Sequence, residues 1–274
     1  MGLHKLVLVH ALSGFGHSTM SVILPVVSAM GIQGCPLPTA ILSNHTGFTD
    51  WYKFNTTEHM EEYVQAWNRL ELTFDGIYSG YLGCGTQAKA LLHLIKAHPE
   101  STFFLDPVLG DHGRLYSAIT PEHITAMKEL TAHAQYLLPN ITEACILTDT
   151  DYKEEFTESE IAVIIDKLHA LGPSHIIITG IRQGNMLVNY LSEAPGNIDT
   201  VALPVAGNSR PGTGDIFGSV LISCILKGQP LKQGVLKAAR FVSECIRLSD
   251  EYHLPVKEGT CFELLLPTLV SPQE

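Results

Sequence analysis

The chain has no Cys-x-x-Cys pair, and its six cysteines (Cys35, Cys84, Cys145, Cys224, Cys245 and Cys261) stand far apart in mostly apolar surroundings. That scatter argues against clustered thiolate metal sites and against a disulfide framework, and it fits reduced, buried thiols. Apolar runs such as LVLVHAL and SVLISCIL fall short of the roughly 18 residues of a membrane-spanning helix. Basic residues are scarce, 17 Lys and Arg against 28 Asp and Glu, for a net charge of −11. Neither nucleic acid nor an anionic membrane is therefore expected as a partner, and an anionic ligand must find its donors locally. The start, MGLHKLVLVHALSG, reads as one lysine and a first strand rather than a secretory signal, so a cytoplasmic location is expected. With no repeat, low-complexity tract or linker, residues 1–274 are expected to form one domain.

What is present is alternation. KLVLVHAL reads as a buried strand and HSTMSVILPVVSAMG as a helix bent at Pro25 and closed by Gly31. GCPLPTAIL, FDGIYSG, STFFLDP, QYLLPN and SHIIITG read as further strands. Between them TEHMEEYVQAWNRL, TQAKALLHLIKAHP, PEHITAMKELTAHA, TEACILT and ESEIAVIIDKLHALG carry helical spacing. NMLVNYL and IDTVALP read as neighbouring strands before two last helices, DIFGSVLISCILKG and LKQGVLKAARFVSECIRL. Strand–helix alternation of this kind needs crossovers, hence an α/β fold with a central, mainly parallel sheet and helices on both faces. Ligands of such sheets sit at the carboxyl ends of the strands. The polar segments there are SGFGH, SNHTGF, SGYLG, DPVLGDHG, PNITEA and the Thr179-Gly180 pair.

The stretch GNSRPGTGDIFG, residues 207–218, opens the penultimate helix. At a helix start backbone N–H groups lack intrahelical acceptors and the macrodipole is positive, and glycines let successive amides converge on one point. Gly212, Thr213 and Gly214 thus form a candidate anion hole for a phosphate. Asp215 would repel that phosphate, so it is placed to face the other reactant, taking a hydroxyl proton and aligning the oxygen with a γ-phosphorus. The bland alternative is an N-capping aspartate after a tight turn.

Two other motifs compete. GCGTQA, residues 83–88, imitates a dinucleotide fingerprint with Asp106 some 20 residues on, but it follows the third strand, whereas Rossmann folds place it after the first. GNSRP just misses G-x-S-x-G because Pro211 replaces the last glycine. No G-x-x-x-x-G-K-[ST] occurs, so any phosphate site is not a P-loop.

LSNHTGF (42–48), SGYLG (79–83), DPVLGD (106–111), LPNITEA (138–144), IIITG and GTGD (212–215) resemble, in order and spacing, the ribokinase-like superfamily. Within it they are similar to the pyridoxal kinases of vitamin B6 salvage, and GFGHSTMSVILPVVSAMGIQGCPLPTA looks like a bacterial branch described as pyridoxamine or pyridoxal kinases. The resemblance implies a three-layer α/β/α sandwich and ATP- and Mg²⁺-dependent phosphorylation of the 5′-hydroxymethyl group of pyridoxal, pyridoxine or pyridoxamine. It also implies a homodimer and leaves room for a monovalent cation such as K⁺. It assigns Asp215 as the catalytic base, with Gly212, Thr213 and Gly214 as the anion hole. Ala11, Thr46, Gly47 and Tyr81 fall on the substrate side. Asp106, Asn140, Glu143 and Thr179 fall on the nucleotide side, with Asp106 and Glu143 near the metal. His17 and His45 either contact the substrate or order loops. Ala11 stands where many relatives have a serine that contacts the pyridine ring, with Ser13 nearby, and residues 110–117 look shorter than the flap of some relatives. The rivals are a hydroxymethylpyrimidine kinase, which usually has Cys at the Asp215 position, and a sugar kinase, which tends to carry an early Gly-Gly absent here. A third is a non-catalytic vitamer or nucleotide sensor.

Overall fold

In the computed structural model, which describes residues 2–270, the first strand, β1 (Lys5–Phe15), has no solvent face in its first half. Leu6 and Leu8 pack with Tyr78 and Phe104 on one side, and Val7 and Val9 pack with Ile77 and Phe103 on the other. All four β1 side chains are fully buried, each contributing roughly 1.5–3 kcal/mol to burial. Such a strand needs helices on both faces of its sheet. On one side lie α1 (Met20–Ala29), α7 (Thr213–Leu226) and α8 (Leu231–Glu251). On the other lie α2 (Thr57–Arg69), α3 (Ala88–Ala97), α4 (Pro121–Thr131), α5 (Ile141–Leu147) and α6 (Glu158–Ala170).

The sheet adds β2 (Gln33–Asn44), β3 (Lys53–Asn55), β4 (Gly76–Ser79), β5 (Thr102–Leu105), β8 (Tyr136–Leu137), β9 (His175–Gln183), β10 (Met186–Ala194) and β11 (Asn197–Pro204). Its order is β11-β10-β9-β8-β5-β4-β1-β2-β3. The strands from β9 to β2 run parallel, and β3, β10 and β11 join antiparallel at the two margins. The three-layer α/β/α sandwich expected from alternation and resemblance is thus realised. No helix among the described residues is long and apolar enough to cross a membrane.

Four features differ from the sequence reading. The first two strands run on through SGF and SN, because after a bulge between His10 and Leu12 they keep pairing, Leu12 with Ile41 and Phe15 with Asn44. They overshoot β4 and carry cavity-lining side chains beyond the body of the sheet. The helix anticipated from His17 starts at Met20, since Leu12 and Thr19 pair and hold the intervening loop. Strand β3 was not anticipated; three residues give no periodicity to read. Residues 110–115 form a small hairpin, β6 (Gly110–Asp111) and β7 (Arg114–Leu115), turned by His112 and Gly113 at positive φ.

Candidate active site

One cavity of about 800 Å³ opens at the carboxyl ends of the parallel strands. The tip of α7 forms its floor. Gly212 occupies the N-cap with φ 82, and no side chain caps this helix. A Cβ on Gly212 would fall 2.2 Å from the His17 carbonyl oxygen, so only glycine fits there. The first-turn amides have no i−4 acceptor, and Gly212, Thr213, Gly214 and Asp215 all line the cavity.

Three carboxyl groups line this cavity. Asp215 stands in the first turn of α7, Asp106 just past β5, and Glu143 in the first turn of α5. Burial pushes Asp215 up to about 6, although the Thr19 N–H, 2.7 Å from its Oδ2, works in the other direction. Burial, and then the negative charge of Asp215, push Asp106 up to about 8. Glu143 is held well above the carboxylate range by burial and by Asp106, despite bonds from the Leu109 N–H (3.1 Å) and the Asn140 N–H (2.8 Å). Asp106 and Asp215 are open to the cavity on one side and crowded by protein on the others. Raised values of this kind, in acids that line a cleft, make these residues functional-site candidates.

Asn140 and Glu143 also form a capping box. Asn140 Oδ1 accepts from the Glu143 N–H at 3.0 Å, and the Asn140 amide group donates to the Gly110 carbonyl at 2.8 Å. The bland reading of Glu143 as a cap is thus correct as far as it goes, and the same residue lines the cavity. Thr179 lines the neighbouring wall, its N–H bound to the Pro139 carbonyl at 2.9 Å.

Thr46, Gly47 and Tyr81 lie on the opposite wall. The Tyr81 hydroxyl has no protein partner. Ala11 does not reach the cavity: it is fully buried in a cluster with Ala40, Leu42 and Tyr81. The β1 side chain that lines the cavity is Ser13, beyond the bulge between His10 and Leu12 and 3.2 Å from both Thr19 Oγ1 and Ser18 Oγ. Both histidines bond to loops, and His45 also lines the cavity. His45 Nδ1 accepts from the Gly47 N–H at 3.1 Å, so Nε2 carries the proton and donates to the Lys257 carbonyl at 2.7 Å. His17 Nε2 lies 2.7 Å from Glu263 Oε1.

The β6–β7 hairpin roofs the cavity with Asp111, His112 and Tyr116. Tyr116, Thr19 and Arg210 were not singled out by sequence reasoning, and no local motif marks them. Tyr78 was likewise read only as a strand residue. Its fully buried hydroxyl faces the Asp106 carboxyl, and burial and then the charges of Asp106 and Asp215 raise its pKa.

The competing motif at residues 83–88 is closed. Gln87 turns back to accept from the Gly83 N–H at 2.7 Å and donates to the Thr39 carbonyl at 2.7 Å, so its own side chain fills the turn where a pyrophosphate would lie.

Comparison with known proteins gives a consistent neighbourhood. The family profile described as phosphomethylpyrimidine kinase matches residues 24–260. A crystal structure from Bacteroides thetaiotaomicron, assigned as a phosphomethylpyrimidine kinase and containing pyridoxal, is 35% identical. It superposes with a TM-score of 0.94 over 100% of this chain and 98% of that one. Pyridoxal kinase from Lactobacillus plantarum is 25% identical with a TM-score of 0.92, covering 98% and 97% of the two chains. A pyridoxine/pyridoxal/pyridoxamine kinase of Bordetella avium is 26% identical over 264 residues, 88% of this chain and 84% of its own.

Proposed function

Because the chain belongs to the phosphomethylpyrimidine kinase family, and within it to the pyridoxal kinases, we propose that its cavity transfers the γ-phosphoryl group of ATP to the 5′-hydroxymethyl group of a B6 vitamer. The observation that carries this reading is that Asp215, Asp106 and Glu143 line one cavity together with the tip of α7, which no side chain caps. Asp215, held near 6, is mostly ionised at neutral pH and basic enough to accept the hydroxyl proton as the oxygen attacks phosphorus. The amides of Gly212, Thr213 and Gly214 receive the charge that builds on the transferring group, and being fixed in advance they need no reorganisation. Thr46, Gly47 and Tyr81 hold the ring of the vitamer, with Ser13 in the place the resemblance gave to Ala11. Asn140 and Thr179 shape the nucleotide side, and the β6–β7 hairpin keeps water off the reacting atoms.

Asp106 and Glu143 suit Mg²⁺. They are oxygen donors whose raised values report an unmet need for positive charge, and Mg²⁺ binds through one or two carboxylates plus substrate phosphates. The ion would supply charge neutralisation at the β- and γ-phosphates. A monovalent cation such as K⁺ belongs to the same reading, as do a cytoplasmic location and one catalytic domain over residues 1–274. A homodimer is supported by the exposed Phe15, Ile41, Tyr52 and Phe54 around the overshooting strands.

The names of the family profile and of the Bacteroides relative favour a second reading, hydroxymethylpyrimidine as acceptor. A coupled ADP-release assay with pyridoxal, pyridoxine, pyridoxamine and hydroxymethylpyrimidine decides between them. We expect turnover with at least one vitamer. Turnover with hydroxymethylpyrimidine alone, or vitamer binding without ATP consumption, overturns the assignment.

A further inference from the structure

The turn proposed as the anion hole contains residues with little rigidity of their own, Gly207, Gly212 and Gly214. Inside the turn, the Thr213 hydroxyl donates to the Arg210 carbonyl at 3.0 Å and the Ile216 N–H to the Gly212 carbonyl at 2.9 Å. Preorganised donors must nonetheless be held to about 0.5 Å. The outer side of the turn meets a strap formed by residues 252–263, which follows α8 and folds back across the molecule.

Arg210 holds that strap. Its side chain is 3% exposed. Nη1 donates to the Leu254 carbonyl at 2.9 Å and to the Gly259 carbonyl at 3.1 Å, while Nη2 pairs with Asp250 Oδ1 at 2.7 Å. The Thr260 hydroxyl donates to the Pro211 carbonyl at 3.2 Å. Gly259, at φ 92, lies so close that a Cβ there would fall 2.8 Å from the His17 carbonyl oxygen and 3.0 Å from that of Pro211. The strap also takes the His17 N–H on the Glu258 carbonyl at 2.8 Å and His45 Nε2 on the Lys257 carbonyl. Three segments that approach the reaction from different directions are thereby fastened to one post: the anion-hole turn, the loop after β1, and the loop bearing Thr46 and Gly47.

We propose that Arg210 is a positioning residue for phosphoryl transfer, acting through the 252–263 strap to fix the anion-hole amides against the acceptor loop. Burying a guanidinium is unfavourable unless its bonds are well made, Arg210 Nε finds no partner, and an apolar side chain generally stabilises a core as well or better. What the fork supplies here is geometry, since one planar group ties together two carbonyls and a carboxylate.

The inference rests on the kinase reading. Arg210→Met, Arg210→Lys and Thr260→Val are compared with the unaltered enzyme by melting temperature and by kcat and KM for ATP and the best vitamer, per folded molecule. A misplacement of about 1 Å costs on the order of 100-fold in rate. Arg210→Met should therefore lose roughly that much kcat, Arg210→Lys less, and Thr260→Val about threefold to tenfold, with KM for the vitamer changed less than about threefold in each. If Arg210→Met does not fold, the isosteric Thr260→Val carries the test. Unchanged kcat in folded variants, or losses that only track the folded fraction, overturn the proposal. Inactivity of the unaltered enzyme toward every vitamer overturns the kinase reading instead.

Discussion

Glu143 and Glu160 each stand third in a helix and reach back to cap the N–H of the residue before it, Asn140 at 2.8 Å and Thr157 at 2.9 Å. Their local geometry is the same and their electrostatics are opposite. Glu160 faces solvent, where Lys153 and then the bonds to Thr157 hold its carboxyl down at about 2. Glu143 is buried, and burial and then Asp106 hold it well above the ordinary range. A capping box is read from four consecutive residues, whereas the field on its glutamate is set by residues that only the fold brings close. The third box, between Thr120 and His123 on α4, has no such carboxylate. Helix α7 has no box, and its first turn lines the cavity.

The largest effect that tests this contrast between cavity acids and surface acids is on turnover. Asp215→Asn should lower kcat by about 10² to 10⁴, while Glu160→Gln leaves it unchanged, both read in the ADP-release assay. Near-normal turnover in Asp215→Asn would remove the reason to treat the cavity acids as special. A smaller effect is expected on the metal requirement. Glu143→Gln should raise the Mg²⁺ concentration for half-maximal rate by about 10- to 100-fold, and Glu160→Gln should not move it. Equal shifts in the two would mean that the capping position alone, and not the cavity, governs the response.

The smallest effect is on stability, and its sign separates the two classes. Asp106 has an unperturbed value of 3.8 and a folded value of about 8. Through that window the folded chain binds more protons than the unfolded chain, so stability falls as pH rises. Glu160 runs the other way: its contribution is fully present above its unperturbed value of 4.5 and is lost as pH falls toward about 2. In melts of protein free of metal and nucleotide, Asp106→Asn should raise Tm more at pH 8 than at pH 6. Glu160→Gln should change Tm equally at both. An Asp106→Asn variant less stable than the parent at pH 8 would contradict the electrostatic account.

Much of the fold could be read from the chain because its signals are local. The apolar runs at 5–12 and 175–180, the helical spacing of 57–69 and 158–170, and the glycine turn at 212–214 all state their structure within a dozen residues. The cavity residues were legible where they follow strand ends, as with Asp106 and Tyr81, whereas Thr179 lies within β9. Non-local features were not. Ser13 faces the cavity because β1 and β2 keep pairing past a bulge, and Arg210 matters through carbonyls 44 and 49 residues away. The partners of His17 and His45 on the C-terminal strap were likewise out of reach of the sequence.

The double burial of β1 also dictates where this polypeptide tolerates a change of length. One residue added between Leu6 and Val9 would exchange the occupants of the two interiors, sending leucines into spaces shaped for valines and the reverse. The β10–β11 turn, where Gly196 sits exposed at positive φ with open space around it, imposes no such coupling. Insertions there would lengthen a loop and leave both interiors intact.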